Sequence, residues 1–190
     1  MTRRSLGART LLFPTPVLIV GTYDADGRPN GMAAAWGGVC SSRPPSIAVS
    51  LRAATYSHGS IIAGGCFTVS IPSEGQAREA DYMGIYSGRD EDKFEALGLT
   101  PEPARHIHAP YVGEFPIVLE CRLTHVHELG LHTQFVGEVL DVTSDESVLD
   151  AEGNPDIELI KPLIFDTGKR RYYGIGAAVG EAFSIGRREA

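Results

Sequence analysis

The sequence predicts a mainly β protein whose strands form an antiparallel barrel. Roughly six or seven short runs rich in β-branched residues follow one another, separated by glycine, proline and aspartate. Helical segments do not alternate with these runs, which disfavours a doubly wound parallel sheet. A charged stretch at about residues 73–109 interrupts the strands as a helical excursion. It holds too few apolar residues for a core of its own, so we expect a single domain over residues 1–190.

The first predicted hairpin lies near the N-terminus. Residues 17–23 are a short β-branched run, and residues 24–27 supply an Asp-Gly turn, which is among the strongest hairpin signals. The partner strand is predicted from residue 29 to about residue 39. It is rich in glycine and alanine and packs poorly by itself, so we expect a flat or bulky group to approach its backbone closely.

The next elements follow a Pro-Pro break at residues 44–45. Residues 46–51 are predicted as a strand and residues 66–71 as another. Between them, residues 55–63 are typical of a short helix that Thr55 or Ser57 could cap. The excursion contains two further helical segments, over residues 73–86 and 89–97.

The C-terminal half is predicted to begin with a long hairpin. Residues 115–126 and 132–142 are extended apolar segments, and residues 128–130 lie between them. Phe165 belongs to a last apolar patch, and residues 170–175 are predicted as a final strand.

The charge of the chain limits its partners. The 190 residues contain 17 lysines and arginines against 24 aspartates and glutamates, a formal net charge of −7. Without an overall positive field, the chain is expected to be neither a dedicated nucleic-acid binder nor a binder of anionic membranes. The net charge does not exclude a single local pocket for a phosphate. No apolar run approaches the length of a membrane span.

Cysteine usage indicates the compartment. Cys40, Cys66 and Cys121 are widely spaced and form no C-x-x-C motif, which fits a reducing cytoplasm and buried thiols acting as small apolar side chains. A redox or nucleophilic cysteine is the alternative. Residues 2–6 partly resemble a twin-arginine signal, but prolines interrupt the apolar segment that follows, so we expect a cytoplasmic protein.

Two further motifs resemble a dinucleotide-binding site and a metal site, but neither has the full pattern. Residues 174–180 contain one residue too many for a dinucleotide fingerprint and follow no βαβ unit. The pairs His106/His108 and His125/His127 would each place two imidazoles on one face of an extended segment. No cysteine or carboxylate completes a ligand spacing, so we assign no metal site and keep a histidine metal-binding β-barrel as a distant alternative.

Residues 52–58 could hold a phosphate. Arg52 ends a strand, hydroxyl residues follow, and a helix begins, so a guanidinium and the positive end of a helix could converge on an anion. A capped helix beside a solvated arginine would have the same sequence, and both interpretations stay open. Trp36, the single tryptophan, is by itself most simply a core residue.

A series of short motifs occurs in a fixed order along the chain. They are NGMAAAWGG at residues 30–38, PP at 44–45, SLR at 50–52, SH at 57–58, SGRDEDKF at 87–94, APYVGEFP at 109–116, GLHT at 130–133 and RYY at 171–173. This ordered set, collinear from about residue 6 to residue 185, resembles the flavin reductase-like family and, within it, the flavoredoxin group.

The resemblance implies a Greek-key split barrel that forms a homodimer and binds FMN near the subunit interface. The cofactor-binding positions it implies are Asn30, Ala34, Ala35, Trp36, Ser50, Leu51, Arg52, Ser57, Lys93, His132 and Phe165. Relatives often carry threonine at position 57, and serine there retains the hydroxyl for a phosphate contact. No catalytic residue is assigned.

The function that the resemblance implies is electron or hydride transfer by a soluble FMN flavoprotein. As an enzyme it would oxidise NAD(P)H, or accept electrons from a redox partner protein, and pass them to a flavin or protein acceptor. The alternative is a non-enzymatic FMN protein that carries electrons, receiving them from one partner protein and passing them to another.

Lys93 has two possible interpretations, as a residue of the binding site or as a solvated charge on the surface. It is the only lysine before Lys161 and stands in a strongly acidic stretch. The resemblance implies that this position contacts FMN, so replacement by alanine is expected to weaken FMN binding. On the view that the lysine lies on a solvated helix surface, the melting of the flavin-free protein should shift little.

Overall fold

The computed structural model describes residues 1–187. Within them the strands are β1 (Thr15–Pro16), β2 (Leu18–Tyr23), β3 (Pro29–Ala34), β4 (Gly37–Ser42), β5 (Pro45–Arg52), β6 (Cys66–Ile71), β7 (Pro101–Pro103), β8 (Pro110–Val112), β9 (Ile117–Leu129), β10 (His132–Ser144), β11 (Ile164–Asp166) and β12 (Arg171–Tyr173). The α-helices are α1 (Tyr56–Gly64), α2 (Ala77–Ile85), α3 (Lys93–Leu97) and α4 (Ile157–Ile160). No helix over this range is long and apolar enough to cross a membrane.

Seven strands form one antiparallel sheet, in the order β3-β2-β6-β9-β10-β5-β4. Strands β3 and β4 are therefore its two edges, yet only Ala35 and Trp36 separate them along the chain. Three Cα–Cα steps of about 3.8 Å each reach at most about 11 Å. The sheet must therefore curl until its edges approach, which produces a barrel with a gap between β3 and β4. The predicted mainly β, antiparallel split barrel is confirmed.

The prediction of one continuous strand over residues 29–39 is wrong. It consists of β3, which pairs with β2, and β4, which pairs with β5 on the other side of the gap. The change of partner occurs at Trp36, whose carbonyl accepts a hydrogen bond of 2.7 Å from the Ser50 amide. A propensity pattern cannot reveal such a switch, because both halves remain extended.

Two apolar clusters occupy opposite faces of the sheet. Val20, Val49, Phe67 and Phe135 belong to the cluster inside the barrel. Ile19, next to Val20 in β2, belongs instead to the cluster beneath α2 and α3, with Met83 and Phe94 among its members. Burial on both faces explains why β2 is a continuous apolar run rather than an alternating one.

The excursion is helical only in its first part. Helix α3 begins at Lys93 and not at residue 89, because the Asp92 carboxylate caps it by accepting the Phe94 and Glu95 amides at 3.0 and 3.1 Å. After α3 the chain becomes extended, and β7 pairs with β8. The long hairpin is confirmed, with β9 and β10 joined by Gly130 and Leu131.

Candidate functional site

Two adjoining clefts lie between β3 and the C-terminal end of α2. The first, which we call the polar cleft, has a volume of about 270 Å³ and includes Asn30, Ser57 and Lys93 in its lining. The second, the apolar cleft, has about 230 Å³ and includes Ala33, Ala34, Ala35, Phe165 and Tyr172. Gly84 and Ile85 line both clefts. Because β3 runs along both, they form one elongated groove.

A buried amide lies in the polar cleft. The Asn30 Nδ2 donates a 2.8 Å hydrogen bond to the Ser57 Oγ, and the Asn30 side-chain oxygen is buried with no hydrogen-bond partner among the described residues. A buried polar atom without a partner is costly, so a bound group would be stabilised here. Rotation of the amide by 180° exchanges its donor and acceptor ends, so Asn30 can present either one to a ligand.

The start of α1 also faces this cleft. Thr55 stands at the N-cap position, but its hydroxyl donates to the Arg52 carbonyl at 2.8 Å, and no side chain caps the helix. The Ser57 hydroxyl is engaged by Asn30, so neither residue predicted as a cap acts as one. The first amides of α1 carry the positive end of the helix dipole, and an anion in the cleft would complete the missing cap.

Lys93 is buried at the floor of the polar cleft, only 3% exposed. Its Nζ donates to the carbonyls of Met83 and Tyr86, both at 3.2 Å. Burial lowers the pKa of Lys93 to about 8, and the nearby Glu91 carboxylate partly opposes that shift. The interpretation as a solvated charge is wrong, because the Asp92 cap turns the first residue of α3 toward the free carbonyls at the end of α2.

The apolar cleft is lined by small side chains and by an aromatic pair. Ala33, Ala34 and Ala35 lie along one side, and Phe165 packs against Tyr172 with ring centroids 5.4 Å apart. The Tyr172 hydroxyl donates to the Asp81 carboxylate at 2.9 Å. Burial and this hydrogen bond raise the pKa of Tyr172 to about 12, so its hydroxyl stays protonated near neutral pH.

The chain itself fills part of the space beside the glycine-rich segment. A Cβ on Gly31 would lie 2.9 Å from the Met83 sulfur, and one on Gly37 would lie 2.6 Å from Leu18 Cδ1. The bulky groups expected near this backbone are therefore, at those two positions, side chains of α2 and β2. At Ala34 and Ala35 the surface remains open to a ligand.

The predicted site residues fall into three groups. Asn30, Ser57 and Lys93 meet in the polar cleft, and Ala34, Ala35 and Phe165 meet in the apolar cleft. The other five line neither cleft; they are Trp36, Ser50, Leu51, Arg52 and His132.

That third group lies on the β4–β5–β10 side of the gap. Trp36 and Ser50 are joined by the backbone hydrogen bond described above, and Leu51 is buried in the barrel. Arg52 is exposed and stands opposite His132 in the β5–β10 register. Contact of these residues with a ligand stays a prediction.

Asp81, Tyr172 and Gly88 also shape the two clefts but are not among the site residues predicted from the sequence. A Cβ on Gly88 would overlap the Asn30 Oδ1 and would lie 2.9 Å from Tyr56 Cδ1, so only glycine fits at this point of the loop beside the polar cleft. Gly88 lies in the SGRDEDKF motif and Tyr172 in the RYY motif, and these motifs are the signal in the sequence that points to them.

The histidine pairs do not build a metal site. The rings of His125 and His127 stack with centroids 5.8 Å apart on the exposed hairpin, and His106 Nε2 lies 3.5 Å from the Asp141 carboxylate. Within residues 1–187, no group of three or more His, Cys, Asp or Glu side chains is placed to hold a metal ion. The histidine metal-binding alternative therefore has no assembled site in that range.

The cysteines differ from one another in burial. Cys66 and Cys121 are buried, and burial raises the pKa of both thiols, that of Cys121 to about 12. Cys40 is exposed, so the expectation of a buried thiol is wrong for it. It lies on β4, an edge strand of the seven-stranded sheet whose residues are mostly exposed.

The groove suits an elongated ligand with an anionic end and a flat aromatic end. The polar cleft offers a cation, an uncapped helix start and a buried amide with an unused hydrogen-bonding atom. The apolar cleft offers alanines that admit a ring close to the backbone and an aromatic wall. A flavin that carries a phosphate has this shape and distribution of charge.

Comparison with known proteins identifies relatives over nearly the whole chain. Residues 9–174 match the model of the flavin reductase like domain. The structure is similar to that of flavoredoxin of Desulfovibrio vulgaris (Miyazaki F), with 57% identity, a TM-score of 0.94, and 98% of this chain and 100% of that one covered. The flavoredoxin from Methanosarcina acetivorans is 27% identical, with a TM-score of 0.91 and 98% of each chain covered.

A curated relative has a named activity. The ferric-chelate reductase (NAD(P)H) of Archaeoglobus fulgidus is 31% identical over 141 residues, which cover 70% of this chain and 79% of that protein.

Proposed function

The chain belongs to the flavin reductase-like domain family, and on that premise we propose that FMN is the flavin with which it transfers electrons. Family membership and the likeness to flavoredoxin make it a flavin-dependent electron-transfer protein. The observation that carries the choice of FMN is the groove, in which a polar cleft with a buried lysine adjoins an apolar cleft lined by alanines and an aromatic pair.

The polar cleft would hold the phosphate of FMN. The Lys93 ammonium has three N–H groups, of which two are engaged by carbonyls and one is left for an anion. The first amides of α1, the Ser57 hydroxyl and the Asn30 amide add hydrogen bonds to the same end. These contacts need a phosphate, so riboflavin should bind more weakly than FMN.

The apolar cleft would hold the flavin ring. When bound, an isoalloxazine supplies the redox chemistry, accepting hydride or electrons and passing them on. Ala34 and Ala35 let it approach the backbone, and Phe165 covers one side. We propose that Trp36, Ser50, Leu51, Arg52 and His132 complete the site from the other side of the gap.

We propose NAD(P)H as the electron donor, with a flavin or a protein as acceptor. The name of the Archaeoglobus relative, a reductase that uses NAD(P)H, supports this choice. The rival is an electron carrier that exchanges electrons only with partner proteins. The two differ in whether the purified protein oxidises a nicotinamide by itself.

The test is spectroscopic and calorimetric. Freshly purified protein should show flavin absorption that NADH or NADPH bleaches under anaerobic conditions. If dithionite bleaches it and neither nicotinamide does, the carrier function is correct. If calorimetry finds equal affinities for FMN and riboflavin, the polar cleft does not bind the phosphate.

We also propose that two copies form a homodimer in the cytoplasm. Large apolar side chains are exposed on β4 and at the end of the long hairpin, with Val39 80% and Leu131 66% exposed. A second copy would cover them. The three free thiols support a reducing compartment. Light scattering that finds a flavin-loaded monomer at micromolar concentration would refute the dimer.

A further inference from the structure

A third pocket, which we call the rim pocket, lies next to the polar cleft. It has a volume of about 150 Å³ and shares Tyr56, Gly88 and Arg89 with the polar cleft. A phosphate bound in the polar cleft could carry a further group that is too large for this cleft. The rim pocket is the neighbouring space into which such a group would extend.

Carboxylates outnumber cations in the rim pocket. Its charged residues are Asp24, Arg28, Arg89, Asp90, Glu91 and Asp92, four carboxylates against two guanidiniums. The Arg28 Nε is held by the Asp24 carboxylate at 2.8 Å. The Arg89 guanidinium lies 5.7 Å from the centre of the Tyr56 ring and donates to the Ala54 carbonyl. Both cations are therefore already engaged.

Within residues 1–187, Asp90 and Glu91 are the two carboxylates of the rim pocket that neither form an ion pair within 4 Å nor cap a helix. Among the described residues, the Asp90 carboxylate has no hydrogen bond and no ion pair within 4 Å, and Glu91 accepts only from the Tyr82 hydroxyl. Asp92 differs, because its carboxylate is committed to capping α3.

We propose that Asp90 and Glu91 are specificity-determining residues that make the groove select a flavin mononucleotide over a flavin dinucleotide. This rests on the proposed function, because it places the first phosphate beside Lys93 and the unpaired Asn30 atom. FAD carries a second phosphate and an adenosine on that first phosphate. The second phosphate would enter the rim pocket and meet like charges at short range, whereas the phosphate of FMN remains beside the cation.

The experiment measures the ratio of the FAD and FMN dissociation constants by calorimetry on the flavin-free protein at low ionic strength. We compare the wild type with Asp90→Asn and with the double variant Asp90→Asn/Glu91→Gln, in which glutamine still accepts from Tyr82. Glu95→Gln is the matched control, since Glu95 is also exposed on the acidic stretch and does not line the rim pocket. A general change in charge alters both affinities and cancels in the ratio.

We expect the wild type to prefer FMN, the double variant to lower the ratio by about 3- to 10-fold, and Glu95→Gln to leave it unchanged. Added salt should lower the wild-type ratio and leave that of the double variant nearly constant, since screening acts on the repulsion. A wild type that binds both flavins equally, or a ratio unaltered in the double variant, overturns the inference. Absence of binding by either flavin would instead overturn the proposed function.

Discussion

At the scale of single residues, Lys93 both supports the fold and lines the cleft proposed to hold the phosphate. Its ammonium joins the start of α3 to the carbonyls of Met83 and Tyr86 while lining the polar cleft. Removing it takes a hydrogen bond and a charge from any bound phosphate, and it also leaves two carbonyls without their donor.

The Lys93→Ala variant is expected to bind FMN more weakly by about 1.5–3 kcal/mol, the usual contribution of a hydrogen bond to a charged group. That corresponds to about one to two decades in the dissociation constant. The flavin-free variant should also melt at a lower temperature, contrary to the expectation from a solvated helix surface, because Lys93 is buried. Calorimetry and thermal melting measure the two effects. The control is Arg105→Ala, because Arg105 is exposed and lines neither cleft. If Lys93→Ala binds FMN as tightly as this control, the phosphate contact is wrong.

The affinity for FMN is expected to fall as the pH rises through about 8. Burial holds the pKa of Lys93 at about 8 in the flavin-free protein, and a bound phosphate would raise it. Above that pH, binding must take up a proton, so the affinity decreases by up to about tenfold per pH unit. Titrations between pH 7 and 9.5 measure this slope. The slope should disappear in Lys93→Met, and an equal slope in that variant would assign the effect to another group.

At the scale of elements, the loop between α2 and α3 forms one wall of the polar cleft and packs tightly against the residues opposite. Gly88 has no room for a side chain, since a Cβ would meet the Asn30 amide and the Tyr56 ring. The loop can therefore stay in place only with glycine at this position.

The Gly88→Ala variant should lose at least about tenfold in FMN affinity, because overpacking of this size forces the loop or Asn30 to move. Gly59→Ala in α1 is the paired substitution: its new Cβ would have nothing within 4 Å. It should keep FMN affinity and gain about 0.5–1 kcal/mol in the free energy of unfolding, since alanine is the better helix former. Calorimetry and chemical denaturation of both variants check the pair. Undiminished FMN binding by Gly88→Ala would show that the loop is free to adjust.

At the scale of the whole molecule, electron transfer should not need the cysteines. They lie on three different strands, β4, β6 and β9, and the thiols of Cys66 and Cys121 are kept protonated by burial. A triple Cys→Ala variant should retain FMN and its reducibility, with a lower melting temperature from the two vacated core positions. A folded variant that binds FMN and cannot be reduced would show that a thiol takes part.

The sequence by itself determined the architecture and the kind of chemistry. The β-branched runs and turn residues placed most strands, because side-chain pattern and turn chemistry are local properties. The ordered motifs identified the flavin reductase-like family and, through it, Asn30, Ser57 and Lys93, which the structure brings into one cleft.

Only the tertiary structure decided how those residues meet. Asn30 bonds to Ser57 across 27 residues, and Tyr172 to Asp81 across 91, and no local pattern encodes either pair. The split of residues 29–39 into β3 and β4 and the burial of Lys93 likewise depend on elements distant in sequence. The physical reason is that barrel closure and helix docking bring remote segments together, whereas propensity reports only on neighbours along the chain.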